Sequence, residues 1–193
     1  MLVERCRELA AAGHPLVYVY YPGVDTVAHE FGLRAPYVAA ELRFVDELVA
    51  RLRNALPDDA ALLVTADHGE VHVDEWHDLS RLGELVVACS GEGRFRWLEA
   101  PRGGTAALAD AARAEFGSLA WVRTRDEVLD EGWLGPPPPD SLRRRLGDVA
   151  LVPFAPVGFV DPAMPRERNL VGAHGSLTSA EMLVPLVAGR GRR

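Results

Sequence analysis

Residues Leu62-Leu63-Val64-Thr65-Ala66-Asp67-His68-Gly69-Glu70 decide how this chain is read. An apolar run ends abruptly in a carboxylate, an imidazole and a glycine. Ala60 to Thr65 has the texture of a short strand covered on both faces of a parallel sheet. Open α/β sheets hold their ligands beyond the carboxyl ends of their strands. Asp67 and His68 stand side by side at that position, and both residue types are good metal ligands. Gly69 lets the backbone turn sharply, so that both side chains can face one pocket. The alternative is a strand running into an ordinary polar loop; two further stretches tell against it.

Upstream, Pro15 to Tyr21 is rich in β-formers and closed by Pro22-Gly23, which predicts a strand. Asp25 to Glu30 reads as a helical turn. From Ala35 to Leu56, the apolar positions Val38, Leu42, Val45, Leu48, Val49 and Leu52 keep the period of an amphipathic helix, which Pro57-Asp58-Asp59 ends. Strand, helix, strand in this order is a βαβ unit, with parallel strands and a right-handed crossover. If its strands are neighbours, the polar groups after each of them gather at one sheet edge.

Asp25 and His29 are four residues apart and therefore share one face of a helical turn. His174, near the far end of the chain, has Gly172 and Gly175 around it, where backbone can approach another group closely. Asp25, His29 and His174 would make a three-ligand zinc site with an open position. Asp67 and His68 would make half of a second site. Two ions ~4 Å apart suit phosphoryl transfer, in which they clamp the attacking and leaving oxygens.

The 193 residues suffice for one well-cored domain or somewhat more. A formal charge of −7 argues against general affinity for nucleic acid or an anionic membrane. All 21 basic residues are arginine, which excludes a catalytic lysine. Cys6 and Cys89 lie far apart, fit no metal or redox spacing, and read as buried reduced thiols. No apolar run reaches the ~18 residues that span a bilayer. With acid and arginine interleaved near Met1 in place of a signal peptide's apolar stretch, a cytoplasmic address is expected.

After Gly69 the texture changes. Glu84 to Ser90 and Arg94 to Glu99 read as a hairpin around Gly91-Glu92-Gly93. Helix is expected over Thr105 to Phe116 and Asp126 to Glu131, and strands over Leu119 to Arg123, Asp148 to Phe154, Val157 to Val160 and Met182 to Ala188. Pro136 to Pro139 is a rigid surface connector. The expected organisation is a single α/β catalytic unit over 1–193, its mostly parallel sheet flanked by helices, with a smaller α+β insertion over about 84–160.

Three stretches together resemble the type I phosphodiesterases/nucleotide pyrophosphatases of the alkaline phosphatase superfamily. They are Tyr20 to Gly32 (Tyr-Tyr-Pro-Gly-Val-Asp-Thr-Val-Ala-His-Glu-Phe-Gly), Thr65 to Gly69 (Thr-Ala-Asp-His-Gly) and Gly172 to Gly175 (Gly-Ala-His-Gly). Their order and spacing bracket almost the whole chain. The resemblance implies that Asp25, His29 and His174 hold one zinc and that Asp67 and His68 help to hold another. It further implies a metal-activated hydroxyl nucleophile and a strand-terminal Asp, both well before the Asp-x-x-x-His motif. Only 24 residues precede Asp25, with no Ser or Thr among them. The expectation is therefore the carboxyl-terminal half of such a domain, lacking its nucleophile and complemented by an amino-terminal half. Thr26, Thr65, Ser90 and Thr178 are the nearest hydroxyls, none in the family's context.

The expected function is metal-dependent hydrolysis of phosphodiester or pyrophosphate bonds in a small phosphate ester or nucleotide. One alternative is a non-catalytic module that binds a metal or a partner. Another keeps the superfamily but takes a phosphomonoester, phosphonate or sulfate ester. Zinc is the first expectation for the two divalent ions; Asp/His sites accept manganese as well. Glu70, His72, Asp74, Glu75, His77 and Asp78 are read as a solvated lip of the cleft.

Overall fold

The amphipathic run does form the longest helix of the chain, and the other elements are arranged around it and a separate four-stranded sheet. The structure, a computed structural model, describes residues 1–192. Helix α1 spans Leu2–Ala11, α2 Gly23–Phe31 and α3 Pro36–Ala55, with Pro36 at the start of α3, where its missing N–H costs nothing. Strand β1 follows at Ala61–Thr65, then β2 at Val71–His72 and β3 at Glu75–Asp78. A 3₁₀ segment over Leu79–Leu85 leads to the hairpin β4 Ala88–Glu92 and β5 Phe95–Glu99. Next come α4 Thr105–Phe116, β6 Ala120–Thr124, α5 Arg125–Asp130 and α6 Asp140–Arg143. Strands β7 Val149–Pro153, β8 Val157–Val160 and β9 Gly172–Ala173 precede α7 Ser179–Met182 and β10 Leu186–Arg190.

The largest core belongs to the sheet β4-β5-β7-β6, which is antiparallel throughout. Helix α4 lays Leu108, Ala109, Ala112 and Phe116 against Leu98, Val122, Leu151 and Phe159. The opposite face buries Trp97, Ala150 and Val152 against Val128, with Trp121, Trp133 and Leu177 at its margin. A capping box starts α5: Glu127 N–H donates to the Thr124 hydroxyl and Thr124 N–H to the Glu127 carboxylate. The prolines 136–139 form a surface connector into α6, as expected from their lack of donors.

The second core is smaller. Val3 and Cys6 of α1 and Leu52 of α3 pack together with Val17, Leu48 and Leu62 beside them. Here the structure departs from the sequence reading. Pro15 to Tyr21 is extended, yet it pairs with no strand among the described residues, and Leu16 and Tyr18 are more than four-fifths exposed. The expected parallel partnership between this segment and β1 is not made. Strand β1 instead pairs with β10, antiparallel, from Ala61 opposite Arg190 to Thr65 opposite Leu186. It is not covered on both faces either: Leu63 is 65% exposed.

The single parallel pair among the described residues is β3 with β8, so the pairings are mostly antiparallel although the class is α/β. The physical reason lies in the ladder: a parallel pair needs two strands side by side, and among the described residues the 15–21 segment pairs with no strand. The last strand also begins later than its apolar pattern suggests. Pro185 has no N–H for a ladder, so Ser179–Met182 turns as a helix and pairing starts at Leu186.

Candidate metal centre

Helix α2 presents Asp25 in its first turn and His29 in its last, and their spacing brings Asp25 Oδ1 to 3.3 Å from His29 Nε2. The other ring nitrogen, His29 Nδ1, donates to the carbonyl of Gly172 at 2.8 Å. A carbonyl can only accept, so Nδ1 carries a proton, and Nε2 is the nitrogen turned toward Asp25. This contact depends on glycine: a Cβ at position 172 would lie 2.4 Å from the Ala28 carbonyl oxygen.

His174 follows β9 and reaches the same place, its Nε2 3.8 Å from Asp25 Oδ1. His68 arrives from the end of β1 and stacks on His174, with ring centroids 3.5 Å apart and planes 15° from parallel. His68 Nδ1 donates to the Gly69 carbonyl at 3.0 Å, which leaves Nε2 as the nitrogen available to a ligand. One ligand atom each from Asp25, His68 and His174 lies within 4.8 Å of the others. His29 stands beside this group, its ring 5.2 Å from that of His174. Asp67 is at the rim; its side chain is 61% exposed and lies 3.7 Å from His68 Nε2.

The electrostatics fit a cation. Asp25 Oδ1 is buried without a hydrogen-bond donor, an expensive state for an anionic oxygen unless a positive charge faces it. The His174 pKa is lowered, first by burial and then by His68 and His29 beside it, which keeps the imidazole in its neutral, ligating form. Four residues of the types that bind zinc or manganese therefore converge, with the tautomers of two histidines already set by backbone carbonyls.

Glu70 is not part of a solvated lip. Its side chain is 9% exposed, with Oε1 3.5 Å from His29 Nδ1 and without a hydrogen-bond partner. Burial, with Asp25 adding to it and His29 and His68 opposing it, pushes its pKa up to about 7. Asp74 and Glu75 are exposed as expected, whereas His77 packs between Phe116 and Phe159. Three of the candidate hydroxyls are engaged. Thr26 donates to the Pro22 carbonyl, Thr65 to that of Ala66, and Thr178 to Glu181.

Sequence reasoning gave no warning of what lies behind the histidines. The amide of Gly69, next to His68, donates to the backbone carbonyl of Glu181 at 2.7 Å. A Cβ on Gly69 would come within 2.0 Å of the Ala180 carbonyl oxygen, so this close approach needs glycine. The Glu181 carboxylate accepts from the amide of Ser176, two residues after His174, and is itself buried against Arg94. No periodicity marks Arg94 or Glu181 as special: Arg94 stands among other charges, between Glu92 and Arg96, and Glu181 is a lone acid before an apolar run.

Fold and site together define an α/β protein that gathers carboxylates and imidazoles from both ends of its chain at one rim. The chain belongs to the type I phosphodiesterase / nucleotide pyrophosphatase family, whose family model matches residues 7–177. Among solved structures, murine ectonucleotide pyrophosphatase / phosphodiesterase 5 is similar, with a TM-score of 0.76 and 19% identity over 98% of this chain and 51% of that one. The same murine protein in an inactive form with AMP gives a TM-score of 0.73, again at 19% identity, over 96% and 50% of the two chains. Phosphonoacetate hydrolase from Sinorhizobium meliloti 1021, in complex with phosphonoformate, gives 0.61 at 18% identity over 98% and 51%. GPI ethanolamine phosphate transferase 2 of Yarrowia lipolytica is 28% identical over 109 residues, 56% of this chain and 12% of the transferase. The chain thus spans about half the length of the solved relatives and a small part of the curated one.

Proposed function

We propose that this chain is the metal-holding part of a hydrolase for phosphodiester or pyrophosphate bonds, acting on a small phosphate ester or nucleotide. The observation that carries the reading is the buried, donor-free Oδ1 of Asp25 beside three histidines. Asp25, His29 and His174 would hold one divalent ion, and Asp67 and His68 would contribute to a second, zinc or manganese. Such ions supply Lewis acidity toward a phosphoryl oxygen when bound. The chain's own residues orient and exclude: the Gly172 and Gly69 carbonyls fix the His29 and His68 tautomers, and the His68–His174 stack limits water at the imidazole faces.

The attacking hydroxyl would come from a polypeptide segment other than residues 1–193, because Thr26, Thr65 and Thr178 commit theirs elsewhere and Ser90 lies exposed on β4 opposite Trp97. That segment would also cover the extended 15–21 stretch and the open edge and face of β1, where Leu16, Tyr18, Leu63 and Val187 are exposed. A phosphonate substrate is the second reading, supported by the likeness to phosphonoacetate hydrolase.

Zinc content after dialysis, measured on the parent chain and on Asp25→Ala and His174→Ala, tests the metal reading. Bound zinc in the parent and a steep loss in both variants are expected; equal content in all three would end it. Turnover of bis-p-nitrophenyl phosphate with added zinc, abolished by His29→Ala, would extend the reading to catalysis by this chain.

A further inference from the structure

Arg94 and Glu181 form an ion pair with each side chain only 1% exposed. Every guanidinium donor is used. Nε and Nη2 meet the Glu181 carboxylate at 2.8 and 2.7 Å, Nη1 reaches the carbonyls of Ala155 and Val157 at 2.7 Å each, and Nη2 also reaches Pro153 at 3.2 Å. On the other side, the carboxylate accepts from the Ser176 amide at 3.0 Å and the Thr178 hydroxyl at 2.5 Å. Ser176 Oγ donates to the Pro153 carbonyl, so this loop is tied to β7 as well. The backbone carbonyl of the same Glu181 receives the Gly69 amide.

One residue therefore holds two loops: the one that carries His68, through its backbone, and the one that carries His174, through its side chain. Buried ion pairs stabilise folds little compared with apolar residues of the same volume, so stability alone is a poor reason for one here. We propose that the Arg94–Glu181 pair is a positioning device that sets His68 against His174. It touches no substrate and acts through the two imidazoles. The proposal deepens the metal-centre reading and rests on it only where metal affinity is concerned.

The test uses the full chain and two readouts. In metal-free protein, NMR of the histidine rings reports the stack through its mutual ring-current shifts. Glu181→Gln, which keeps shape but removes the charge, should abolish those shifts, and Thr178→Val should reduce them. Arg81→Ala, which breaks the exposed Arg81–Glu115 pair, should leave them as in the parent. Zinc affinity by chelator competition should fall about 10- to 100-fold in Glu181→Gln, as for other groups that orient metal ligands. The d–d absorption of the cobalt(II)-substituted protein should change in parallel.

Parental ring-current shifts in a Glu181→Gln chain that melts cooperatively would overturn the proposal. If that variant does not fold, parental shifts in Thr178→Val would do so. Loss of the shifts in a protein that binds no zinc even as the parent would support the positioning role and sink the metal reading instead.

Discussion

His68 and His174 lie ring on ring, although the sequence separates them by more than a hundred residues. Two imidazolium rings cannot stack so closely without strong repulsion, so at least one stays neutral. Burial, with help from the neighbouring imidazoles, lowers the His174 pKa below its ordinary 6.5. A folded-state pKa below the unfolded one means that the unfolded chain takes up the proton first. Stability from this group is complete above about pH 6.5 and is lost as pH falls toward the folded value. In denaturant melts of the metal-free chain between pH 7 and 5, Glu70, with its pKa pushed up to about 7, works the other way. The His174 effect is therefore read as a difference: the midpoint of His174→Gln should gain on the parent's as pH falls. An unchanged difference would contradict the assignment.

Asp25 should respond in opposite directions to one substitution. Asp25→Asn removes an anionic oxygen that has no donor in the metal-free protein. The melting temperature of metal-free Asp25→Asn is therefore expected to be no lower than the parent's, while its zinc affinity drops by a factor of ten or more. A variant that loses stability but keeps its zinc would show that Asp25 serves the fold and not the ion.

The Arg94–Glu181 pair lends itself to a double-mutant cycle. Arg94→Met leaves a buried carboxylate facing no cation and should cost about 3–5 kcal/mol. Arg94→Met combined with Glu181→Met should recover much of that loss, because neither charge is then stranded. Glu181 also predicts an acid limit. Burial alone would raise its pKa, but the hydrogen bonds from Arg94, Thr178 and the Ser176 amide prevail and lower it. Its contribution is present above the ordinary carboxylate range and is lost as pH falls through the lowered value. Urea midpoints for the parent and the double variant should therefore converge as the solution is acidified.

The face formed by β1 and β10 is expected to limit solubility. Leu63 and Val187 are 65% and 58% exposed, and among the described residues β1 has a partner strand on one edge only. Leu63→Lys and Val187→Lys should lower light scattering at high concentration and move the melting temperature little. A large loss of stability would show that these side chains are packed in solution.

The local signals in the sequence were strong where each depended on neighbours only. The α3 period, the β4–β5 hairpin, the strand Val157–Val160 and the turn that sets Asp25 above His29 are all found close to where pattern and spacing put them. Pairing was less legible. Nothing in Pro15 to Tyr21 says whether a β-prone stretch will have a neighbour, since that depends on what lies across the sheet. Glu70 showed the same limit, because an acid beside a metal motif looks alike whether it faces water or a histidine ring. Arg94 and Glu181 were invisible: their pairing spans 87 residues and leaves no period to detect.

Among the described residues, the strand that delivers Asp67 and His68 has its partner in Leu186–Arg190, far downstream in the chain. During translation that strand must wait for more than a hundred further residues to be made before its ladder can close. Assembly of the rim is thus a non-local event, and a chain cut before Leu186 would leave β1 without this ladder and the two histidines without a common frame.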